Sequence, residues 1–139
     1  MKSETILLAT KVWQNILAEA QATTSAEPVM ESYLKSTITN HDNLGSALSF
    51  HLSQKLASAS FPAAMIRTIM DDTFKDPAIV DQAARDIQAT MDRDSACKLY
   101  SSPFLYFKGF LSLQAYRVAH QLWNQGRTSL ALLLQHRIS

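Results

Sequence analysis

Few side chains in this sequence are of types that do chemistry, and their spacing decides which chemistry is open to them. The four histidines, His41, His51, His120 and His136, lie at least ten residues apart. A helix-borne metal pair needs ligands three or four residues apart, and a structural zinc site needs paired cysteines. Neither pattern occurs, so no metal site is expected. His51 falls on the apolar side of a helical pattern with Leu44 and Leu48, where the expected role is a hydrogen-bonded core histidine. Lys55 shares that side. Either its stem lies along apolar surface with the ammonium in water, or the ammonium reaches a carboxylate on a neighbouring helix or chain. Cys97 is the single cysteine and has no histidine in local reach to deprotonate it, so it reads as a bystander thiol. No Gly-x-Ser-x-Gly elbow is present. The three glycines, Gly45, Gly109 and Gly126, lie too far apart to build a phosphate loop.

The carboxylates are more informative. Asp71 and Asp72 fall within a helical pattern and are expected to be solvated. Asp92 and Asp94 lie in the stretch DRDSACKLYSSPFLYFKGF, residues 92–110, at a break between two helical patterns. A carboxylate at such a break can be held by the chain ends and still face a cleft, where its use is to pair with an ammonium group. The competing use is capping, with Asp94 or Ser95 binding free backbone N–H groups of the next turn. On residue types alone the cap is the commoner outcome.

The elements that must position these groups are helical nearly throughout. Ile6, Ala9, Trp13, Ile16, Leu17 and Ala20 recur at steps of three and four, predicting a helix over about 4–21. A polar link, ATTSAE, follows. Pro28 suits the start of a short second helix carrying Met30, Tyr33, Leu34 and Ile38. Asn40 and Asp42 are candidate caps for a third, about 43–57, with Leu44, Ala47, Leu48 and Leu52 on its face. Pro62 opens a fourth with Met65, Ile66, Ile69 and Met70. Asp76-Pro77 is the strongest start signal, opening a fifth helix with Val80, Ala83, Ala84, Ile87 and Met91 inward. Ser102-Pro103 repeats the device and opens a long sixth helix, which Gly126 ends. Residues 127–139 form a seventh. The fold class is therefore all-α, a compact domain of about seven helices without a sheet, spanning residues 1–139.

Two stripes run along the sixth helix. Phe104, Phe107, Leu111, Ala115, Val118 and Leu122 form one; Tyr106, Gly109, Tyr116, Ala119 and Trp123 form or border the other. Gln114, Arg117, Gln121 and Asn124 make its polar line. A helix apolar around most of its girth is either the centre of its own domain or a contact to another subunit. Gly109 is expected to admit a neighbouring backbone.

Composition excludes several partners. Thirteen bases against twelve acids give a net charge of +1, so neither nucleic acid nor an acidic membrane is expected to bind. Lys108, Arg117, Arg127 and Arg137 are spread around helices rather than aligned. No run approaches a membrane span, and the start, MKSETILLAT, is too short in apolar residues for a signal peptide. With one cysteine, a reducing, cytoplasmic setting is expected.

Six stretches together resemble the helical N-terminal domain of the serine acetyltransferase family: VWQNILAEAQ (12–21), AEPVMESYL (26–34), HDNLGSALSFHLSQKL (41–56), RDIQATMDRD (85–94), YFKGFLSLQAYRVAHQLWNQGR (106–127) and LALLLQHRIS (130–139). The resemblance covers nearly the whole sequence in order. It implies an enzyme that makes O-acetylserine from L-serine and acetyl-coenzyme A on the route to cysteine. It also implies a left-handed β-helix, absent from these residues, that supplies the catalytic histidines and the coenzyme A groove. No catalytic residue, metal or cofactor is then expected within these 139 residues, and none of the four histidines matches a catalytic one. Taken alone they are not expected to catalyse. The one residue carried over is Asp94, preceded by Arg93, which matches the family's acidic residue for the amino group of serine or of the inhibitor L-cysteine. Ser95 departs from the family's usual proline there, leaving the link less stiff. The resemblance further implies a dimer of trimers joined through the helical domains, and a sulfhydrylase partner bound by a C-terminal tail that these residues lack. The alternative is a free-standing, non-catalytic helical interaction module.

Overall fold

A computed structural model describes the backbone of residues 2–138 and the side chains of residues 8–138. Among the described residues the secondary structure is helical, and the only β feature is an isolated bridge between Ser58 and Phe61. The α-helices are α1 (Lys2–Ala26), α2 (Glu31–Leu34), α3 (Leu44–Leu56), α4 (Ala63–Phe74), α5 (Pro77–Arg93), α6 (Ser101–Tyr106), α7 (Lys108–Asn124) and α8 (Thr128–Ile138). A 3-10 turn, Pro28–Met30, leads into α2, and a π-helical stretch, Lys35–Thr39, leaves it. The all-α expectation holds, with one more α-helix than expected.

The extra helix comes from a break at Phe107. Its φ of −83° and ψ of 108° are extended, so the expected long sixth helix is two, α6 and α7. In one straight helix Phe104, Leu105, Phe110 and Leu111 would spread around most of the circumference. The break lets all four be buried. α1 runs past the expected link to Ala26. Thr24 Oγ1 and Ser25 Oγ donate to the carbonyls of Ala20 and Gln21 one turn back, which lets these polar residues stay helical. Ile6, expected on the inner face of α1, lies outside the described side chains.

Start and stop signals mostly act as read. Asp76 Oδ1 accepts from Ala78 N at 2.9 Å, with Pro77 at the first helical position. The cap of α3 is Asn43, which accepts from Ser46 N at 2.9 Å, rather than Asn40 or Asp42. Gly126 has φ +79° and ends α7, with Arg127 N donating to Leu122 O at 2.9 Å.

α1 packs along α5, α3 on α4 and α7 on α8, around one core. Val12, Trp13, Ile16 and Ala20 of α1 and Ala83, Ala84 and Ile87 of α5 belong to this cluster, as do Leu44, Leu48 and Leu52 of α3 and Ile66 and Met70 of α4. Phe104, fully buried, anchors α6 in it, worth about 2–3 kcal/mol of apolar burial. The close backbone approach expected at Gly109 is absent, since a Cβ there would meet nothing within 4 Å. It occurs at Gly45, where a Cβ would lie 2.8 Å from the Phe74 carbonyl oxygen, so α3 can meet the end of α4 only without a side chain.

The polar line of the former sixth helix is also corrected. Gln114 is fully buried. Its Nε2 donates to Asp86 Oδ2 at 2.8 Å, and Arg117 donates to both Asp86 and Gln114 Oε1. A buried amide with partners at both ends is stable where a bare one is not. The second stripe is outward: Tyr106, Tyr116 and Trp123 are 54%, 44% and 49% exposed, and only Ala119 is buried. α7 is thus both a core helix on one face and an exposed apolar surface on the other.

Candidate functional site

α5 ends at Arg93 and Asp94 is its C-terminal cap. Asp94 N donates to Thr90 O at 3.0 Å, and Asp94 O accepts from Cys97 N at 2.9 Å. Its Oδ1 accepts from Ala96 N at 2.9 Å, closing a tight turn in which the side chain holds its own backbone. Asp94 is exposed, and Oδ2 has no hydrogen-bond partner among the described residues. The capping use is thus present through one oxygen, and the other is left open in an exposed residue.

The neighbours keep clear of it. Arg93 Nε turns back to donate to Ala89 O at 3.2 Å. Asp92 belongs to the last turn of α5, not to the break where it was expected, and its Oδ1 accepts from Gln88 Nε2 at 3.0 Å. Ser95 and Ala96 are exposed while Cys97 is buried. The Cys97 Sγ lies 3.4 Å from Met91 Sδ and 3.6 Å from Leu99 O. Burial first, and then the charge of Asp94, pushes its thiol pKa up. A protonated, buried thiol is a poor nucleophile, in keeping with the bystander role.

The far end of the link is held by a residue that sequence reasoning missed. Glu19, half-buried on α1, accepts from Tyr100 N through Oε2 at 3.0 Å and from Ser101 N through Oε1 at 2.8 Å. Glu19, and not the expected Ser102-Pro103 pair, caps α6, which begins at Ser101 with no side-chain cap of its own. The Tyr100 hydroxyl donates to Gln88 Oε1 at 3.0 Å, tying the same point back to α5. The pairing of a residue with another 82 positions away leaves no local pattern to read.

The histidines stand elsewhere. His51 is buried, its Nε2 donates to Leu105 O at 3.0 Å, and its ring stacks on Phe104. Burial, opposed by the Leu105 carbonyl and aided by Lys55, lowers its pKa to about 4, as befits a neutral core histidine. Lys55 is exposed, with no ion pair to a carboxylate among the described residues. His41 contacts Ser46 Oγ and Ser36 O, and His120 and His136 are exposed. No hydrogen bond joins any of the four to Asp94. Asp71 and Asp72 are exposed as expected, paired with Arg67 and Lys75. Among the described residues no group of three His, Cys, Asp or Glu side chains could hold a metal ion, and no helix is long and apolar enough to cross a membrane.

A second feature lies across α7. Leu113, Tyr116 and Trp123 share one exposed stripe, with Leu132 and Leu133 exposed on α8. Leu113 and Tyr116 also line a shallow depression with Ile79 of α5. Leu113, Tyr116, Trp123, Leu132 and Leu133 are the large apolar side chains that α7 and α8 leave exposed.

Comparison with known proteins places this architecture. Residues 12–115 match the family model described as serine acetyltransferase, N-terminal. The chain is 50% identical over 129 residues to the serine acetyltransferase of Salmonella typhimurium, covering 92% of this chain and 47% of that protein. It is 42% identical over 132 residues to serine acetyltransferase 5 of Arabidopsis thaliana, covering 94% and 42%. Among solved structures, a serine acetyltransferase in complex with CoA superposes with a TM-score of 0.92 at 48% identity, covering 94% of this chain and 56% of that one. Soybean serine acetyltransferase complexed with serine gives 0.90 at 43%, covering 94% and 54%. The chain spans about half the length of the curated relatives it matches. With the family model and these relatives agreeing over its helices, the chain belongs to the serine acetyltransferase N-terminal family.

Proposed function

We propose that this chain is the helical part of an enzyme that transfers the acetyl group of acetyl-coenzyme A to the hydroxyl of L-serine, giving O-acetylserine for cysteine synthesis. Its contribution to chemistry is a single carboxylate. Asp94 pairs with the ammonium group of serine and orients the hydroxyl toward a general base and an acetyl thioester held by other parts of the enzyme. L-Cysteine carries the same ammonium group, so the same carboxylate holds it as an inhibitor. The observation that carries this reading is the free Oδ2 of an exposed Asp94 whose other oxygen is fixed in the turn. Such a carboxylate is pre-aimed, because ordering it for a ligand costs little extra side-chain entropy. None of the four histidines is bonded to it, which supports placing the base outside these residues.

The test is Asp94→Asn in a complete serine acetyltransferase carrying this domain. Asn keeps the bond from Ala96 N and removes the charge. The Michaelis constant for serine should rise roughly tenfold or more, with that for acetyl-coenzyme A unmoved. An unchanged serine constant would return Asp94 to capping alone.

The second contribution is assembly. The exposed apolar residues of α7 and α8 would be covered by a second copy of this chain, since a two-fold contact brings the same patch of two copies together. Serine acetyltransferase trimers paired through their helical domains would bury it.

A further inference from the structure

We propose that Glu19 is a positioning residue for the Asp94 corner: by pinning the head of α6 from α1, it sets the aim of the carboxylate that receives the amino-acid ammonium group. The inference rests on the reading of Asp94 given above. The link Ser95–Leu99 contains no proline, so its own covalent geometry does not fix its shape. The buried Cys97 holds its middle against Met91, and the rest is held from its ends. At one end are the bonds within the Asp94 turn. At the other, each oxygen of Glu19 takes one backbone N–H, from Tyr100 and from Ser101. Bonds to an ionised acceptor are stronger than neutral ones, and using both oxygens stops the carboxylate from swinging.

A second connection runs through the same point. Tyr100, held by its backbone, donates through its hydroxyl to Gln88, and Gln88 donates to Asp92, two residues before Asp94. The circuit α1, head of α6, Tyr100, Gln88, last turn of α5 closes around the link. Releasing Glu19 frees the α6 end to shift and lets the span that Asp94 must bridge vary. A simple helix cap would stabilise α6 without bearing on serine; a positioning residue changes serine binding.

The experiment combines Glu19→Gln, Glu19→Ala and Asp94→Asn in a complete serine acetyltransferase carrying this domain, with hydrogen exchange on the 139-residue chain. Gln retains one acceptor oxygen, so it covers the event that Glu19→Ala does not fold. Glu19→Gln should raise the serine Michaelis constant about threefold and Glu19→Ala roughly tenfold, with the acetyl-coenzyme A constant unchanged. Either Glu19 change combined with Asp94→Asn should be no worse than Asp94→Asn alone, because an aim cannot be lost twice. The amides of Tyr100 and Ser101 should exchange faster, and Cys97, the only cysteine, should react faster with a thiol reagent. If Asp94→Asn raises the serine constant and both Glu19 variants leave it alone, Glu19 is only a cap and this inference is overturned while the Asp94 reading stands. If Asp94→Asn itself has no effect, the Asp94 reading falls and the inference with it.

Discussion

Acid should unfold this domain partly through His51, and the effect can be worked from its surroundings. The neutral imidazole lies between Phe104, at 5.3 Å between ring centroids, and the carbonyl of Leu105, to which Nε2 donates. Burial disfavours the imidazolium most, the Leu105 carbonyl favours it, and Lys55 repels it, leaving a pKa of about 4 against an ordinary 6.5. The unfolded chain takes up the proton near 6.5 and the folded one only near 4, so between these values the unfolded state binds more protons. The stabilisation is complete above 6.5 and drains as the pH falls toward 4. Between pH 7.5 and pH 5 the loss from this one residue is about 2 kcal/mol, which lowers the melting temperature of a domain this size by roughly 6–10 °C. Urea unfolding followed by far-ultraviolet circular dichroism, at closely spaced pH values, measures it. His51→Gln isolates the residue, since Gln can still donate to Leu105 but does not titrate. It should lower stability at pH 7.5 and flatten the slope between pH 7.5 and 5, while carboxylates elsewhere contribute equally to both proteins. Parallel pH profiles for the two would refute the argument.

Two further expectations concern the polar core and the outer face. Asp86→Ala removes the acceptor of the fully buried Gln114 amide and the counter-charge of Arg117; it should cost about 2–3 kcal/mol in urea unfolding, and a loss below about 0.5 kcal/mol would mean that water replaces the network at no cost. Light scattering on the 139-residue chain should show a mass above the 15.5 kDa of one copy, and Tyr116→Glu with Trp123→Glu should restore the single-copy mass; a wild-type chain that stays monomeric at high concentration would remove the α7 stripe as a self-association surface.

What the sequence disclosed and what it hid follow from how far apart the interacting groups lie. Asp76-Pro77 and Gly126 act within one turn of themselves, and both were readable because a cap and a positive φ are local requirements. The inner faces of α3 and α5 were readable because their period repeats within each helix. Asn43 was one position from a candidate cap, the usual uncertainty at a helix start. Asp94 was legible as a turn carboxylate, and the capping use is the one its Oδ1 makes, with Oδ2 left without a hydrogen bond among the described residues.

The misses share another cause. Gln114 falls on the polar line of its helix by residue type, and its burial depends on Asp86, 28 residues earlier. The aromatic stripe of α7 fits either the centre of this domain or a contact to another subunit on sequence alone, and the packing decides against the first, since no element of this domain covers Tyr116 and Trp123. The break at Phe107 reflects the demand of Phe104, Leu105, Phe110 and Leu111 to face one core, which no single helix can meet. Glu19 shows the same dependence at the candidate site. Its position on α1 becomes meaningful only when α1 lies along α5 and brings its carboxylate to the first free N–H groups of α6. A carboxylate held by its own turn can thus be named from the sequence, whereas one that reaches the head of a helix from another element is found only after the helices have packed.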